Sequence, residues 1–428
     1  MIRHRLKYLI WITLVCLFLT SWHYQKSPLY VAKIIARAIG LHTIALAVKI
    51  HDPSPAVLIA DSGPYEPNKA GFHYSSDKLL EIIGGVYPGH DLVVLNFDNK
   101  PIVSSRYRFA YQPARDSSLE LLKEKYHLAE LFSQNENDFE QILEIANWVH
   151  GQWLHGTSGA KEFRPGKFNA DRILTRARQG DRFWCHVYSM TFIQVAASMG
   201  HQARLVSLTK DGYESSDMHA VAEVWSNFYK KWICIDIDFN IWYSKDGMPL
   251  SVLEVHDAFI GQTGSVSVVK GAKRPKPDLE SRIPSLPHYY RYFYLDMRND
   301  WLSNSYFPGH PARSDKATLF WVDKRLSSTL NLKTGVSDPY EFYWDLNRTT
   351  IAFKNSHNLK KEVELFLSTV TPNFSHFEFS ANGEKKMSAS PTFFWPLRSG
   401  VNEISVRSVN SSGIKGVETR LTVAIKPK

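Results

Sequence analysis

The middle of the chain changes from helical to strand periodicity. Residues 185–200 carry apolar side chains at helical spacing, and Gly200 ends this pattern as a C-terminal cap does. The apolar positions are Tyr188, Phe192, Val195, Ala196 and Met199. Residues 219–225 and 232–238 instead alternate between two side-chain sets, which is the period of a strand. The pattern therefore predicts a helix followed by two neighbouring strands.

Three reactive side chains lie at defined points of these elements. Cys185 stands at the start of the helix, where the positive end of the helix dipole favours the thiolate. The alternation places His219 and Asp236 on one face of the two strands. A helix packed across the strands would bring the thiol over that face. This order of groups predicts a nucleophile, a base and a group that orients the base.

These segments resemble the core of the transglutaminase-like superfamily of papain-like folds. The resemblance rests on Trp184-Cys185, on His219-Ala220 with Glu223-Val224 after it, and on the run Trp232-Ile-Cys-Ile-Asp236. It covers roughly residues 138–245. It implies that Cys185 is the nucleophile, His219 the base and Asp236 the orienting carboxylate.

The resemblance also implies a fold class and a further site residue. The fold class is α+β, with a papain-like transglutaminase core in which a helix packs on an antiparallel sheet. In the superfamily, the helix before the nucleophile ends near an aromatic side chain that supports the oxyanion hole. Trp153 or His155 could take that place, and a packed tryptophan is the alternative for Trp153. Asn137, with Glu140 three residues later, predicts a capping box at the start of that helix.

Other histidines and cysteines compete for these roles. His186 is next to the nucleophile, but consecutive helical positions point about 100° apart, so it would face the thiol poorly. His201 lies at the other end of the helix. The chain has three cysteines, and Cys234 could bridge to Cys185 as a redox switch or be a buried thiol beside the site.

The periodicity outside the core predicts the domain organisation. Short alternating strands near the C-terminus predict an immunoglobulin-like β-sandwich. A turn at residues 98–101 between apolar runs predicts a hairpin. The predicted parts are 1–22, a signal peptide or membrane anchor; 23–113, an N-terminal helix and small β-rich region; 114–271, the catalytic core; 272–288, a Pro-rich linker; and 289–428, the sandwich.

The N-terminal pattern predicts export. Residues 1–22 have a basic start followed by a short apolar stretch, which is typical of a secretory signal or an uncleaved anchor. Residues 29–50 are apolar with interspersed basic side chains, which fits a helix on an anionic membrane surface or a helix in a protein core. We therefore expect a periplasmic or inner-membrane-anchored protein.

Composition narrows the partners. The 428-residue chain has a formal net charge of +9, but its Lys and Arg residues are scattered, so we expect a solvated basic surface and no nucleic acid. An aromatic run at residues 288–301 could stack on sugar rings or seal a domain interface. No cofactor or metal is expected.

The sequence supports two functional hypotheses. The first is an exported thiol enzyme that forms a thioester on an amide or peptide bond of a protein, peptide or glycopeptide, with hydrolysis expected over cross-linking. The second is a non-catalytic scaffold for a cell-envelope protein or a polysaccharide. An intact Cys-His-Asp set favours the first, because a scaffold does not need all three groups together.

Overall fold

A computed structural model describes residues 63–428 except 108, 115, 133–136, 163–167, 213–216, 263, 274–276, 301–317, 327–334 and 357–360. The leader at 1–22 and the apolar segment at 29–50 lie outside the described residues. Among the described residues, no helix is both long and apolar enough to cross a membrane. The helices are α1 Ser76–Val86, α2 Ser117–Lys125, α3 Asp138–His150, α4 Ala170–Arg178, α5 Cys185–Ser198, α6 Val252–Gly261 and α7 Pro277–Glu280.

The strands fall into a large sheet, a sandwich and one small pair. The first ten are β1 His90–Phe97, β2 Ala110–Tyr111, β3 Ala203–Thr209, β4 Met218–Ser226, β5 Lys231–Asp236, β6 Ile241–Lys245, β7 Met248–Pro249, β8 Ser267–Lys270, β9 Tyr292–Asp296 and β10 Arg298–Asn299. The others are β11 Thr318–Trp321, β12 Gly335–Val336, β13 Thr349–Asn355, β14 Glu362–Thr369, β15 Phe374–Ala381, β16 Glu384–Ser388, β17 Thr392–Pro396, β18 Gly400–Asn410 and β19 Thr419–Pro427.

The large sheet carries the core. Its strand order is β12-β11-β9-β3-β4-β5-β6-β7, with β8 also paired to β6. Its pairs are antiparallel except β11 with β12. Because side chains alternate along each strand, the two faces build two separate hydrophobic cores, one of which contains α5. The mixed α+β class predicted from the sequence is confirmed.

Helix α5, which begins at Cys185, is buried on nearly every side. All of its residues from Val187 to Ala196 are buried, so it is a central helix with no solvent face. Gly200 ends it at φ 87°, a left-handed conformation that glycine adopts without strain. A Cβ at that position would lie 2.6 Å from Cβ of Ser412, so the same glycine also lets a sandwich loop approach. The C-terminal end of the helix is thereby packed against the sandwich.

The neighbouring helix α3 starts as the sequence predicts. The Asn137 side chain accepts hydrogen bonds from the N–H groups of Phe139 and Glu140, and the Glu140 carboxylate accepts from the Asn137 N–H. This capping box satisfies N–H groups that a helix start otherwise leaves unpaired. The predicted capping box is confirmed, and α3 leads directly into the segment that carries Trp153 and His155.

The C-terminal part is a β-sandwich. Strands β13, β14 and β17 form one sheet, and strands β1, β19, β18, β15 and β16 form the other in that order. Apolar side chains of both sheets fill one core, with Phe353 and Leu365 from the first and Phe377 and Leu421 from the second. From β13 to β19 the chain crosses between the sheets after β14, after β16 and after β17, as in Greek-key sandwiches. An immunoglobulin-like assignment of this sandwich stays a prediction.

Strand pairing moves two boundaries away from their predicted places. Strand β1, predicted within 23–113, pairs with β19 at the edge of the sandwich, so the hairpin predicted across 98–101 does not form. Strand β9, predicted within the sandwich at 289–428, pairs with β3 of the large sheet instead. The predicted linker at 272–288 therefore lies, along the chain, between strands β8 and β9 of the large sheet. It does not mark the boundary between the core and the sandwich. The physical reason is long-range pairing, because an alternating strand does not encode which edge it joins.

Candidate active site

His219 and Asp236 lie on the same face of the large sheet, near the end of the β4–β5 pair. The register pairs Glu223 with Cys234, and two-residue steps along each strand lead from these positions to His219 and Asp236. The His219 Nε2 atom lies 2.6 Å from Oδ2 of Asp236, and both side chains are buried. The Phe239 N–H donates to the other carboxylate oxygen at 3.1 Å. The carboxylate is thus fixed on both oxygens and orients the imidazole.

The Cys185 thiol completes the cluster. It lies at the first residue of α5, is partly exposed, and is close enough to the His219 imidazole to favour its charged form. Because Nε2 of the imidazole faces Asp236, Nδ1 is the ring nitrogen left for the thiol. Burial of the ring opposes its protonation, but Asp236 and Cys185 outweigh that cost and raise the pKa of His219 well above its ordinary value. The imidazolium form, which pairs with a thiolate, is therefore stabilised.

The helix start beside the thiol offers backbone donors. Trp184 is the N-cap residue, at φ −108° and ψ 177°, and it makes no side-chain capping hydrogen bond. The first N–H groups of a helix have no partner within the helix, and the dipole makes them attractive to negative oxygen. An oxyanion that forms on a carbonyl attacked by Cys185 would lie next to these groups.

Cys234 is a buried thiol away from the nucleophile helix. By strand alternation it shares the sheet face of His219 and Asp236, whereas the body of α5 packs on the opposite face, contrary to the expectation that the helix would lie over the pair. The Cys234 Sγ lies 3.4 Å from the Tyr290 hydroxyl oxygen, and neither thiol is in a disulfide. Burial raises the pKa of the Cys234 thiol well above its ordinary value, which keeps it protonated and unreactive. Of the two alternatives from the sequence, the structure favours the buried packing thiol.

His201 is excluded as a base by its position and charge state. It follows the end of α5 and is almost fully buried. Burial lowers the pKa of His201 to about 4, with Asp138 acting weakly in the opposite direction. A neutral ring at the far end of the helix does not serve the thiol, so the interaction with Cys185 belongs to His219.

Two aromatic rings enclose the His219 imidazole. Phe239 meets it edge-on with centroids 5.6 Å apart, and Tyr289 lies at 5.8 Å on a tilted plane. The Tyr289 hydroxyl donates to Asp217 at 2.5 Å, and Lys210 forms an ion pair with that carboxylate. Tyr289 comes from the aromatic run at 288–301, so one residue of that run covers the His219 imidazole. Sequence reasoning missed this role because a residue remote in the chain gives no local signal of it.

A second histidine–aspartate pair lies beside the first. The His155 Nδ1 atom lies 2.8 and 3.0 Å from the two carboxylate oxygens of Asp238. Asp238 is almost fully buried, whereas about a third of the His155 side chain is exposed. Burial raises the pKa of the Asp238 carboxyl, and the His155 hydrogen bond partly offsets this. In the sequence, strand alternation already places Asp238 on the same face as Asp236. That alternation was the one feature from which a second carboxylate near the site could have been predicted.

The Trp153 side chain is buried, whereas the His155 side chain is partly exposed. The Trp153 ring stacks on Tyr188 with centroids 4.4 Å apart and meets Phe183 edge-on, and its carbonyl accepts the Tyr188 hydroxyl at 2.7 Å. Its indole nitrogen is buried without a hydrogen bond to the described part of the chain. Trp153 therefore supports the segment that precedes the nucleophile, and His155 presents the polar group at the surface of the site.

One cluster among the described residues has the spacing of a metal site. It consists of His256, Asp257 and Asp323. However, Arg325 binds both carboxylates, and the two ring nitrogens of His256 face the Tyr290 carbonyl and Asp323 at 2.8 Å each. Every ligand atom of this cluster thus has a protein partner. It is an ion-pair network that joins α6 to the end of β11.

The arrangement of thiol, imidazole and carboxylate defines the class of site as that of papain-like cysteine enzymes. Residues 126–237 match the family model described as the transglutaminase-like superfamily, and this span includes Cys185, His219 and Asp236. This part of the chain is thus a transglutaminase-like core, as the sequence resemblance implied. No curated protein matches the chain. Among solved structures, a red sea bream transglutaminase matches at 9% identity and a TM-score of 0.23, over 82% of this chain and 78% of that one.

Proposed function

We propose that this protein is a cysteine acyl-transfer enzyme that forms a thioester on Cys185 from an amide or peptide bond. The observation that carries the proposal is a single imidazole, His219, that contacts both the thiol and Asp236. A structural role would require neither a partly exposed thiol at a helix start nor a histidine held between that thiol and a carboxylate.

The reaction follows from the positions of these groups. The Cys185 sulfur attacks the substrate carbonyl carbon, and the electron pair of the C=O bond moves to oxygen beside the helix N–H groups. The C–N bond then breaks, and the proton on the His219 imidazolium passes to the leaving nitrogen. Asp236 keeps the ring oriented and stabilises its charged form while it carries that proton. A thioester and a neutral His219 remain.

Hydrolysis is the proposed fate of the thioester, with a protein, peptide or glycopeptide as substrate. Water as the acyl acceptor requires no second binding site, whereas cross-linking requires a site for an amine. The resemblance supports this choice, since superfamily members other than the animal cross-linking enzymes often resemble hydrolases. An amidase that acts on glycan-linked asparagine is the glycopeptide form of the same proposal.

Labelling and turnover test the proposal together. We expect iodoacetamide at neutral pH to label Cys185 faster than an ordinary thiol, and the rate to fall in His219→Gln. Incubation with casein and a fluorescent amine would then separate release of new amino termini from incorporation of the amine. Cys185→Ala is the control for both readouts. If Cys185 labels no faster than Cys234 in the unfolded chain, and the rate ignores His219→Gln, the binding-scaffold hypothesis replaces this one.

We also propose that the protein acts outside the cytoplasm, in the periplasm or tethered to the inner membrane. The support is the basic and then apolar pattern of residues 1–22, together with the basic apolar segment at 29–50. Fractionation of cells that express the full chain tests this, with release by carbonate separating a free protein from an anchored one. Recovery in the cytoplasmic fraction would contradict it.

A further inference from the structure

A cavity of about 770 Å³ lies between the large sheet and the sandwich. It is lined by the turn between β4 and β5, the first residue of α3, the end of β1, and the loop between β18 and β19 with the start of β19. The turn begins at Asn227, eight residues after His219, which at about 3.3 Å per residue places it about 26 Å from His219 along β4. The cavity is therefore separate from the Cys185 site.

Hydrogen bonds fix the turn that forms one wall of this cavity. The Asp138 carboxylate accepts the Ser226 hydroxyl and the Phe228 N–H at 3.0 Å each, and it also accepts the Asn227 N–H. The Asn227 side-chain amide in turn donates to the Lys415 carbonyl at 3.0 Å, which ties the turn to the sandwich loop. A ligand would thus meet a preformed wall, and ordering that wall would cost little of its binding free energy.

The charges that line the cavity balance. Eight of its twelve lining residues are polar or charged, and three of these are acidic and three basic. Arg420 pairs with Glu418, and Lys415 pairs with a glutamate outside the cavity. The Asp98 carboxylate and the Lys230 ammonium form no hydrogen bond or ion pair with any other residue that the structure describes. The cavity therefore offers one acceptor and one donor without a net charge, which suits a neutral ligand that has hydroxyl groups.

Two residues of the turn have locally unfavourable positions. The Phe228 side chain is 59% exposed, and its ring meets Tyr229 edge-on with centroids 4.9 Å apart. Lys230 has φ 57°, a left-handed conformation that glycine adopts without strain. An aromatic ring in water and a strained lysine each cost free energy in the unbound protein. Such costs are typical of residues that serve a binding site.

We propose that this cavity binds a neutral saccharide. The Phe228 ring packs on the C–H face of a sugar ring, and Asp98 and Lys230 bind its hydroxyl groups. A charged ligand would gain little from balanced charges, and an apolar ligand would desolvate polar side chains without replacing their hydrogen bonds to water. The proposal does not depend on acyl transfer, because Cys185, His219 and Asp236 do not line this cavity.

Binding of the full chain to an oligosaccharide array tests the proposal. The array carries glucose, mannose, galactose and N-acetylglucosamine oligomers together with uronic-acid oligomers, and the strongest neutral ligand is then titrated by calorimetry. We expect Phe228→Ala to weaken binding about 10-fold by loss of the aromatic contact. Asp98→Asn should weaken it about 10-fold by loss of a charge-assisted hydrogen bond. Phe394→Ala is the matched control, because Phe394 is 50% exposed on the sandwich and does not line the cavity.

Lys230→Gly separates a binding role from a structural one. Glycine relieves the left-handed backbone, so we expect the melting temperature to stay the same or rise while saccharide binding weakens. Absence of binding to every neutral oligosaccharide, or binding to uronic-acid oligomers alone, would overturn the proposal. Neutral binding that Phe228→Ala, Asp98→Asn and Lys230→Gly all leave unchanged would also overturn it. The rate of Cys185 labelling should be the same in these variants, so the result is independent of the proposed enzyme function.

Discussion

Two buried charged pairs lie on the same face of the large sheet, and they differ in what surrounds them. The His219–Asp236 pair shares its imidazole with a partly exposed thiol. The Arg204–Glu223 pair is fully buried, with guanidinium–carboxylate distances of 2.6 and 3.0 Å. Both use strand β4, where His219 and Glu223 are four residues apart and therefore face the same way.

The second pair is closed by protein groups on every side. The Arg204 guanidinium also donates to the Phe342 carbonyl at 2.6 Å and lies 3.9 Å from the centre of the Trp232 ring. The other Glu223 oxygen accepts the Val252 N–H at 2.8 Å and the Tyr343 hydroxyl at 2.9 Å. Three guanidinium N–H groups and both Glu223 oxygens are thus bound by protein groups, and both side chains are fully buried, so the pair is closed to a substrate. It joins β3, β4 and the start of α6, and its role is structural.

The difference shows how one sheet face serves two purposes. Where buried charges are saturated with protein partners, the site stabilises a particular arrangement of strands. Where one partner is a thiol at a helix start, we propose that the same kind of charge pair transfers a proton. Both pairs are buried, so burial does not distinguish them. They differ in how fully their polar atoms are bound by other protein groups.

The largest effect is expected from removing the catalytic base. His219→Gln retains a donor for Asp236 but cannot take a proton, so we expect acyl transfer to fall by about 10³- to 10⁴-fold. The free energy of unfolding should change by only about 1 kcal/mol, since the hydrogen bond to Asp236 is kept. Turnover of p-nitrophenyl acetate and urea unfolding measure the two quantities. If His219→Gln instead lost much of its stability and kept activity near wild type, the His219–Asp236 pair would be structural, like the Arg204–Glu223 pair.

The next largest effect is expected from a change in the fully buried Arg204–Glu223 pair. Glu223→Gln leaves the Arg204 charge buried without its counterion, so we expect a loss of about 3–5 kcal/mol in the free energy of unfolding. Activity per folded molecule should remain close to wild type, because Glu223 takes no part in the proposed chemistry. Urea unfolding and an active-site titration by iodoacetamide check this. A variant as stable as the wild type would show that the pair is dispensable for folding.

A smaller effect is expected in how the free energy of unfolding depends on pH, because only the His219–Asp236 pair contains a group that titrates near neutrality. The pKa of His219 is raised on folding above its ordinary 6.5, so the folded state binds the proton more tightly than the unfolded state. The stabilisation it supplies is fully present below the ordinary value and is lost as pH rises through the raised one. We therefore expect the wild type to lose stability relative to His219→Gln as pH increases above neutrality. Urea unfolding at several pH values measures this difference, and parallel curves would contradict it.

The smallest effect is expected at Cys234. Cys234→Ala removes a buried sulfur that contacts Tyr290, and we expect a cost of about 1 kcal/mol in the free energy of unfolding. Labelling of Cys185 should keep its rate, and mild oxidant should inactivate the variant and the wild type equally. Protection of the wild type by a reversible oxidation that Cys234→Ala lacks would restore the redox-switch alternative.

The sequence by itself determined the local elements and which candidate groups they carry. Helical spacing after Cys185, strand alternation around His219 and Asp236, and the capping box at Asn137 depend on neighbours within a few residues. Local sterics, side-chain period and hydrogen-bonding capacity act over that range. The same alternation also placed Asp238 on the face of Asp236.

Only the tertiary structure decided which remote segments meet. It brought Tyr289 over His219, paired His155 with Asp238, added β1 to the sandwich and carried the large sheet past 272–288 to β9. Each of these contacts joins segments whose local patterns would suit several partners equally well. The choice among them depends on the packing and strand pairing of the whole chain, which spacing within one segment does not contain.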